Sequence, residues 1–179
     1  LTLLCGCGRP AAGGEDVRTH FETLNGFEAD VKILSDLGES TLEYTVHYQY
    51  NKEDIDLFSI TAPESLSGIG GTIAGEESGA FSLQYDGLSL DDAMPQRTGL
   101  TPADGLFCLL CDLRTAEPQQ QWTETVSGEQ MVVLRYAQET GQIEKQVWLT
   151  RDGLRPVCAE LYADGERVLT LTLSGSRET

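Results

Sequence analysis

The stretch at residues 146–176, QVWLTRDGLRPVCAELYADGERVLTLTLSGS, has the pattern of a sheet built from consecutive strands. Short apolar-rich runs are separated by the turn sequences RDG and ADGE, and the last run alternates apolar and polar residues. A period of two is typical of strands that bury one face. The pattern predicts three antiparallel strands at residues 143–150, 157–162 and 167–173.

Alternation continues towards the N-terminus. The clearest run is TLEYTVHYQY at residues 41–50, which puts one tyrosine-rich face opposite a polar one. Turn-forming clusters such as NKED and the dipeptide DG bound the neighbouring runs. Further strands are therefore predicted at residues 27–34, 55–63, 68–75, 80–87, 122–126 and 131–136, and residues 88–90 can continue the hairpin after the turn at Asp86-Gly87.

Two segments have helical spacing instead. Val17, Phe21 and Leu24 recur at intervals that place them on one helix face, which predicts a helix over residues 15–25. A second helix is predicted over residues 102–115, with Thr101 as its N-cap and Pro102 at its first position. The order of helix, strands, helix, strands predicts an α+β fold, mainly antiparallel β, with eight to ten strands and helices packed on one face.

Composition limits the partners of the chain. Its 179 residues include 29 acidic against 12 basic residues, a formal net charge of −17. Such a charge repels phosphate, so nucleic acid is not expected as a partner. It also argues against a basic surface that grips anionic lipid.

The N-terminal segment LTLLCGC resembles the lipobox of bacterial lipoproteins. Leu4 lies three positions before Cys7, small residues precede the cysteine, and residues 8–14 read as a flexible tether. The resemblance implies that residues 1–6 end a cleaved signal peptide and that Cys7 carries a diacylglyceryl group. Two acyl chains suffice for stable attachment, whereas one is marginal. The expected location is extracytoplasmic, on the outer face of the cytoplasmic membrane, at the periplasm or cell surface.

The order of elements resembles the LolA/LolB-like family of lipoprotein carriers, most specifically at residues 147–173. The resemblance implies a single domain over residues 15–176: an open, incomplete β-barrel of about 8–11 strands with helices on its concave face. It also implies an apolar cavity that holds lipid or acyl chains non-covalently, and no enzyme activity. Candidate lining residues are on strand 41–50 and helix 102–115: Leu42, Tyr44, Val46, Tyr48, Tyr50, Leu106, Leu109, Leu110 and Leu113.

Two alternatives stay open. The first is an envelope sensor or protein-interaction lipoprotein whose sheet is filled by side chains and whose surface meets a protein partner. The second is a thiol oxidoreductase that uses Cys108 and Cys111, which have CxxC spacing. Both cysteines lie between leucines inside the predicted helix, so burial is favoured over redox chemistry, although Cys158 could pair with one of them.

No cofactor or metal site is predicted. His20 and His47 have no companions at zinc spacing, and no catalytic triad signature is visible. Acidic pairs occur at Asp54/Asp56, Glu76/Glu77 and Asp91/Asp92, and each is interpreted as a solvated turn because acidic residues are so frequent.

Overall fold

Eleven strands and two helices make up the computed structural model over residues 14–36, 38–74, 80–93, 95, 97–137 and 142–179, which are the residues it describes. The helices are α1 (Gly14–Thr23) and α2 (Gly105–Thr115). The strands before α2 are β1 (Gly26–Asp36), β2 (Thr41–Asn51), β3 (Ile55–Ala62), β4 (Gly70–Ala74), β5 (Ala80–Tyr85) and β6 (Leu88–Leu90). The strands after it are β7 (Gln120–Val126), β8 (Glu129–Ala137), β9 (Ile143–Thr150), β10 (Pro156–Ala163) and β11 (Glu166–Glu178).

The strands form one antiparallel sheet in the order β6-β5-β4-β3-β2-β1-β11-β10-β9-β8-β7. Two meanders are therefore joined where the first strand pairs with the last, with Val31 opposite Leu173 and Ser35 opposite Leu169. Over the described part of the chain, β6 and β7 stay at opposite edges, so the sheet does not close. The predicted open, mainly antiparallel α+β architecture is confirmed.

One face of the sheet carries the core. Along β1, Phe27, Ala29, Val31 and Ile33 are buried, whereas Asp30 and Lys32 between them are exposed. Burying a large apolar side chain stabilises the fold by about 1.5–3 kcal/mol. The helices cover this inner face with Val17, Phe21 and Leu24 from α1 and Leu106, Phe107, Leu109, Leu110 and Leu113 from α2, all in one core cluster.

Most element boundaries differ from the sequence predictions by one to five residues. Helix α1 ends at Thr23 and not at residue 25. Strand β7 begins at Gln120, two residues before the predicted strand, and β11 continues to Glu178 because its end still pairs with Phe27 and Glu28 of β1. Long-range pairing, which a local pattern does not contain, extends both strands.

Helix α2 begins at Gly105, so Thr101 is not its N-cap as predicted. The fully buried Asp104 precedes the helix, and its carboxylate accepts hydrogen bonds from the backbone N–H of Gly99 (2.7 Å), the backbone N–H of Thr101 (2.9 Å) and the Thr101 hydroxyl (2.5 Å). These bonds hold residues 99–104 in a turn ahead of the helix.

Two further contacts fix α2 against the sheet. A Cβ at Gly105 would lie 3.1 Å from Leu169 Cδ1. The start of α2 therefore packs so close to β11 that a larger residue at position 105 would press on Leu169. Lys145 on β9 is buried and donates to Asp112 Oδ2 at 2.5 Å and to the Cys108 carbonyl at 3.3 Å. The helix is thereby held across the inner face, with its last turn near β2.

Candidate ligand cavity

The predicted cavity-lining residues fall into three groups. Most pack in the core: Val46, Tyr48, Leu106, Leu109 and Leu113 are buried within it, and Tyr44 packs against it half-buried. Leu42 lies at the exposed start of β2, with 44% of its surface accessible. Tyr50 and Leu110 border an open cavity.

This cavity, here called the α2 cavity, lies between α2 and the β2–β3 hairpin and has a volume of about 260 Å³. Its apolar wall consists of Phe107, Leu110 and Cys111 from α2 and Ile73 from β4. Its polar wall and mouth are formed by Tyr50, Asn51, Lys52, Glu53, Asp54, Asp56 and Arg114. A mixed lining of this kind suits a ligand with an apolar part and a polar part.

Asp56 forms the polar floor of the cavity. The prediction that both Asp54 and Asp56 lie in a solvated turn is wrong for Asp56, which is buried on β3, whereas Asp54 is exposed. Its carboxylate accepts hydrogen bonds from the Tyr48 hydroxyl at 2.5 Å and from the Asn51 backbone N–H at 3.0 Å. Burial raises the pKa of the Asp56 carboxyl, and this effect outweighs the two hydrogen bonds, which lower the pKa.

The sequence contains a signal for the buried position of Asp56 in the alternation of β3. In IDLFSITA, Asp56 alternates with Phe58 and Ile60 and so shares their face of β3. Phe58 is part of the core and Ile60 packs against it. Strand register thus outweighs the general tendency of aspartate to lie in turns.

Arg114, in the last turn of α2, closes one side of the cavity. Its side chain is half-buried; Nη1 donates to the Tyr50 hydroxyl at 2.6 Å, and the guanidinium carbon lies 5.7 Å from the centre of the Tyr50 ring. Nη2 also makes a long contact of 3.7 Å with Cys111 Sγ. These contacts connect α2, the lid helix over the cavity, to β2 at the cavity mouth.

The surroundings of the two cysteines on α2 raise the pKa of their thiols, whereas a redox-active cysteine needs a lowered pKa. Cys108 and Cys111 are buried and free, and burial raises the pKa of Cys108 to about 12 and that of Cys111 to about 11. Reactive thiols need a lowered pKa because the thiolate is the nucleophile. Cys158 is free and half-buried on β10, so the structure contains no disulfide between it and either helix cysteine.

The remaining predicted positions lie away from the cavity. His47 contacts Asp30 on the outer face of the sheet, with Nδ1 2.9 Å from Oδ1, and the ring of His20 packs edge-on against Phe21. Asp91 and Asp92 are exposed, whereas Cys7 and the pair Glu76/Glu77 fall outside the described residues. Over the described ranges, no group of three or more His, Cys, Asp or Glu residues could hold a metal ion.

Comparison with solved structures identifies the fold. A DUF1329 family protein from Desulfovibrio piger has a TM-score of 0.53 at 14% identity, covering 92% of this chain and 91% of its own. A putative outer membrane lipoprotein-sorting protein domain from Vibrio parahaemolyticus has a TM-score of 0.50 at 12% identity, covering 92% and 90%. A LolA superfamily protein from Nitrosomonas europaea has a TM-score of 0.49 at 16% identity, covering 94% of each chain.

No family model and no curated protein matches the sequence. Within the described ranges, neither helix is long and apolar enough to cross a membrane. The DUF1329 family protein and the lipoprotein-sorting domain each match this chain over nearly the whole length of both partners in the comparison. The protein therefore shares the fold of the DUF1329 family protein and of the lipoprotein-sorting domain, an open antiparallel sheet with helices on its inner face.

Proposed function

We propose that this protein is a lipid-anchored extracytoplasmic binding protein that holds an amphiphilic ligand non-covalently in the α2 cavity. The observation that carries this proposal is an open cavity with one apolar and one polar wall, placed between the lid helix and the sheet of a LolA-like fold. The acyl or other apolar chain of the ligand would pack against Phe107, Leu110 and Ile73. The polar end of the ligand would contact Tyr50 and Arg114.

The size of the cavity limits what enters without movement. A volume of about 260 Å³ lies just below the range of about 300–1,000 Å³ that is usual for ligand pockets. Leu106, Leu109 and Leu113 fill the inner face beside it. A longer acyl chain would therefore require α2 to shift outward.

The lipid anchor follows from the resemblance of Leu4–Cys7 to a lipobox. Gly14, where α1 begins, is seven residues after Cys7, and seven residue steps span at most about 25 Å when fully extended. An anchored domain would therefore stay at the bilayer surface, where amphiphiles are concentrated. A short tether suits a protein that exchanges such ligands with the membrane.

A Cys7→Ser variant tests the anchor. In a bacterial host with the complete precursor, we expect the unchanged protein to fractionate with membranes, and its intact mass to equal the chain from residue 7 plus a diacylglyceryl group. The serine variant should lose both properties because its hydroxyl is not lipidated. Cys5→Ser is the matched control and should keep both. An unmodified mass for the unchanged chain would refute the anchor and leave the cavity proposal to stand by itself.

A neutral amphiphile tests the cavity. We expect the soluble domain to bind dodecyl maltoside below its micellar concentration, measured by calorimetry, and to retain acyl species from a lipid extract in native mass spectrometry. Cys111→Met should weaken maltoside binding roughly tenfold, because its extra bulk displaces about two methylenes of ligand, each contributing about 0.8 kcal/mol.

Cys158→Met is the matched control, since Cys158 lies on β10 and does not border the cavity. It should bind as the unchanged protein does. Equal affinity in the Cys111 and Cys158 variants, or no binding to either probe, would contradict the proposal.

A filled interior favours a second candidate, the protein-interaction lipoprotein. Five of the predicted lining residues are packed in the core, and the edge hairpin β5–β6 exposes Tyr85, Leu88 and Leu90 by 53%, 74% and 61%. Exposed apolar side chains on an edge strand suit a protein partner. Crosslinking that captures one protein and no lipid would decide for this candidate. Neither candidate assigns an enzyme activity to the chain.

A further inference from the structure

Arg114 is a half-buried cation without an anionic partner. Across the described residues, no carboxylate lies within ion-pair distance of its guanidinium, although the chain has 29 acidic residues and Arg135, Lys145 and Arg167 are all paired. Buried charges are normally paired because desolvation is expensive. The guanidinium borders the α2 cavity, so the missing partner can come from outside the chain.

Asp56, the buried acid of the same cavity, attracts Arg114 from a distance, since the guanidinium, against the larger effect of burial, lowers the pKa of the Asp56 carboxyl, but the two side chains form no ion pair. The two oxygens of Asp56 accept from Tyr48 and Asn51. Arg114 in turn has five N–H donors, of which Nη1 serves Tyr50 and Nη2 makes the long contact with Cys111. The guanidinium therefore keeps further N–H groups that can donate to a ligand in the cavity.

The guanidinium is also held in position. The short hydrogen bond to the Tyr50 hydroxyl fixes it against β2, and the apolar wall of Phe107 and Leu110 lies on the same helix, about two turns and one turn before it. A preorganised guanidinium loses less freedom when it binds an oxyanion. The arrangement places a charge-binding group beside an apolar slot.

The mouth of the cavity restricts the charge of the ligand. Glu53 and Asp54 are exposed there, beside Lys52, whose ammonium donates to the Glu22 carbonyl. Two exposed acids at the entrance of a protein with a net charge of −17 disfavour dianions more than monoanions. A single negative charge is the one that Arg114 can neutralise.

We propose that Arg114 forms a headgroup subsite for a singly charged oxyanionic amphiphile, whose apolar chain packs against Phe107, Leu110 and Ile73. The carboxylate of a fatty acid and the phosphodiester of a phospholipid share this chemistry. This inference rests on the proposed function, and it adds the class of headgroup that the cavity selects.

The test compares headgroups on one chain length. Calorimetry would measure dodecanoate, dodecyl maltoside and dodecyltrimethylammonium below their micellar concentrations, with acetate as the oxyanion without a chain. We expect dodecanoate to bind about 10- to 100-fold more tightly than the maltoside, the range of a hydrogen bond to a charged group. The ammonium probe should bind least, and acetate should not bind measurably.

Arg114→Gln should abolish the preference for dodecanoate because it weakens dodecanoate binding far more than maltoside binding, whereas Arg114→Lys should keep part of the preference. Arg155→Gln removes the same charge from an exposed turn position and should change nothing. Urea unfolding of each variant separates loss of the subsite from loss of the fold, and Tyr50→Phe provides a second variant that weakens the preference without removing the cation.

The outcomes distinguish the two proposals. Equal affinity for all three headgroups, unchanged in Arg114→Gln, would overturn the headgroup subsite and leave the cavity proposal intact. If acetate bound as tightly as dodecanoate, the ligand would not need an apolar chain. That result would overturn the assignment of an amphiphilic ligand and indicate a site for free oxyanions. Failure of every dodecyl probe to bind would overturn the proposed function, and the subsite with it.

Discussion

Replacement of Asp112 by asparagine is expected to lower the free energy of unfolding by about 3–5 kcal/mol, the range for breaking a buried ion pair. Asp112 Oδ2 lies 2.5 Å from Lys145 Nζ, and the Lys145 side chain is only 11% exposed. Without the carboxylate, the ammonium would keep the Cys108 carbonyl at 3.3 Å as its remaining partner. Urea unfolding followed by tryptophan fluorescence measures the loss.

Lys145→Met should be milder, because Asp112 is 29% exposed and can be hydrated once its partner is gone. The double variant Asp112→Asn/Lys145→Met should be more stable than the sum of the single losses predicts, by more than about 1 kcal/mol. Glu43→Gln is the control, since Lys32 and Glu43 form a surface pair worth about 0–1 kcal/mol. A loss in Asp112→Asn no larger than that of Glu43→Gln would contradict the prediction.

Asp104→Ala is the second change with a large expected effect, a loss of about 3 kcal/mol or more in the free energy of unfolding. The variant leaves the backbone N–H groups of Gly99 and Thr101 without their acceptor, at about 1–3 kcal/mol for each donor that stays buried. The turn ahead of α2 would lose its anchor, and hydrogen exchange should accelerate at residues 97–108 before the rest of the protein.

Asp104→Asn distinguishes the hydrogen bonds from the volume of the side chain. It keeps the shape and one acceptor oxygen, so we expect a loss between zero and that of alanine. A substitution at Gly99 would not restore the stability of the turn. Its φ of +80° disfavours residues with a side chain, and a Cβ would lie 3.0 Å from Cys108 Cβ. Equal stability of the alanine and asparagine variants would show that the carboxylate oxygens are not what holds the turn.

The fold was largely predictable because its strands are locally periodic. Residues 41–50 alternate so regularly that their inward face follows from the sequence, and Val46, Tyr48 and Tyr50 are buried as that alternation requires. What local periodicity does not contain is the pairing of β1 with β11, or the extension of β11 to Glu178 that depends on it. Those features follow from contacts between the two ends of the chain.

The candidate site was less predictable. Periodicity identified Tyr50 and Leu110 as inward-facing, but it also selected Leu109 and Leu113, which the core encloses completely. Whether an inward residue meets a neighbour or an open space depends on how α2 is placed over the sheet. Arg114 was missed because a basic residue in the last turn of a helix is ordinary in sequence, and its lack of an acidic partner appears once neighbours are known.

The seam between β1 and β11 has a consequence for how the chain acquires its structure. Phe27 faces Glu178, so the middle of the sheet is assembled from residues at opposite ends of the polypeptide. Topologies dominated by such distant pairings fold slowly, on the order of milliseconds to seconds. A chain whose β11 has not yet left the ribosome therefore cannot complete this sheet, because β1 still lacks one of its two neighbouring strands.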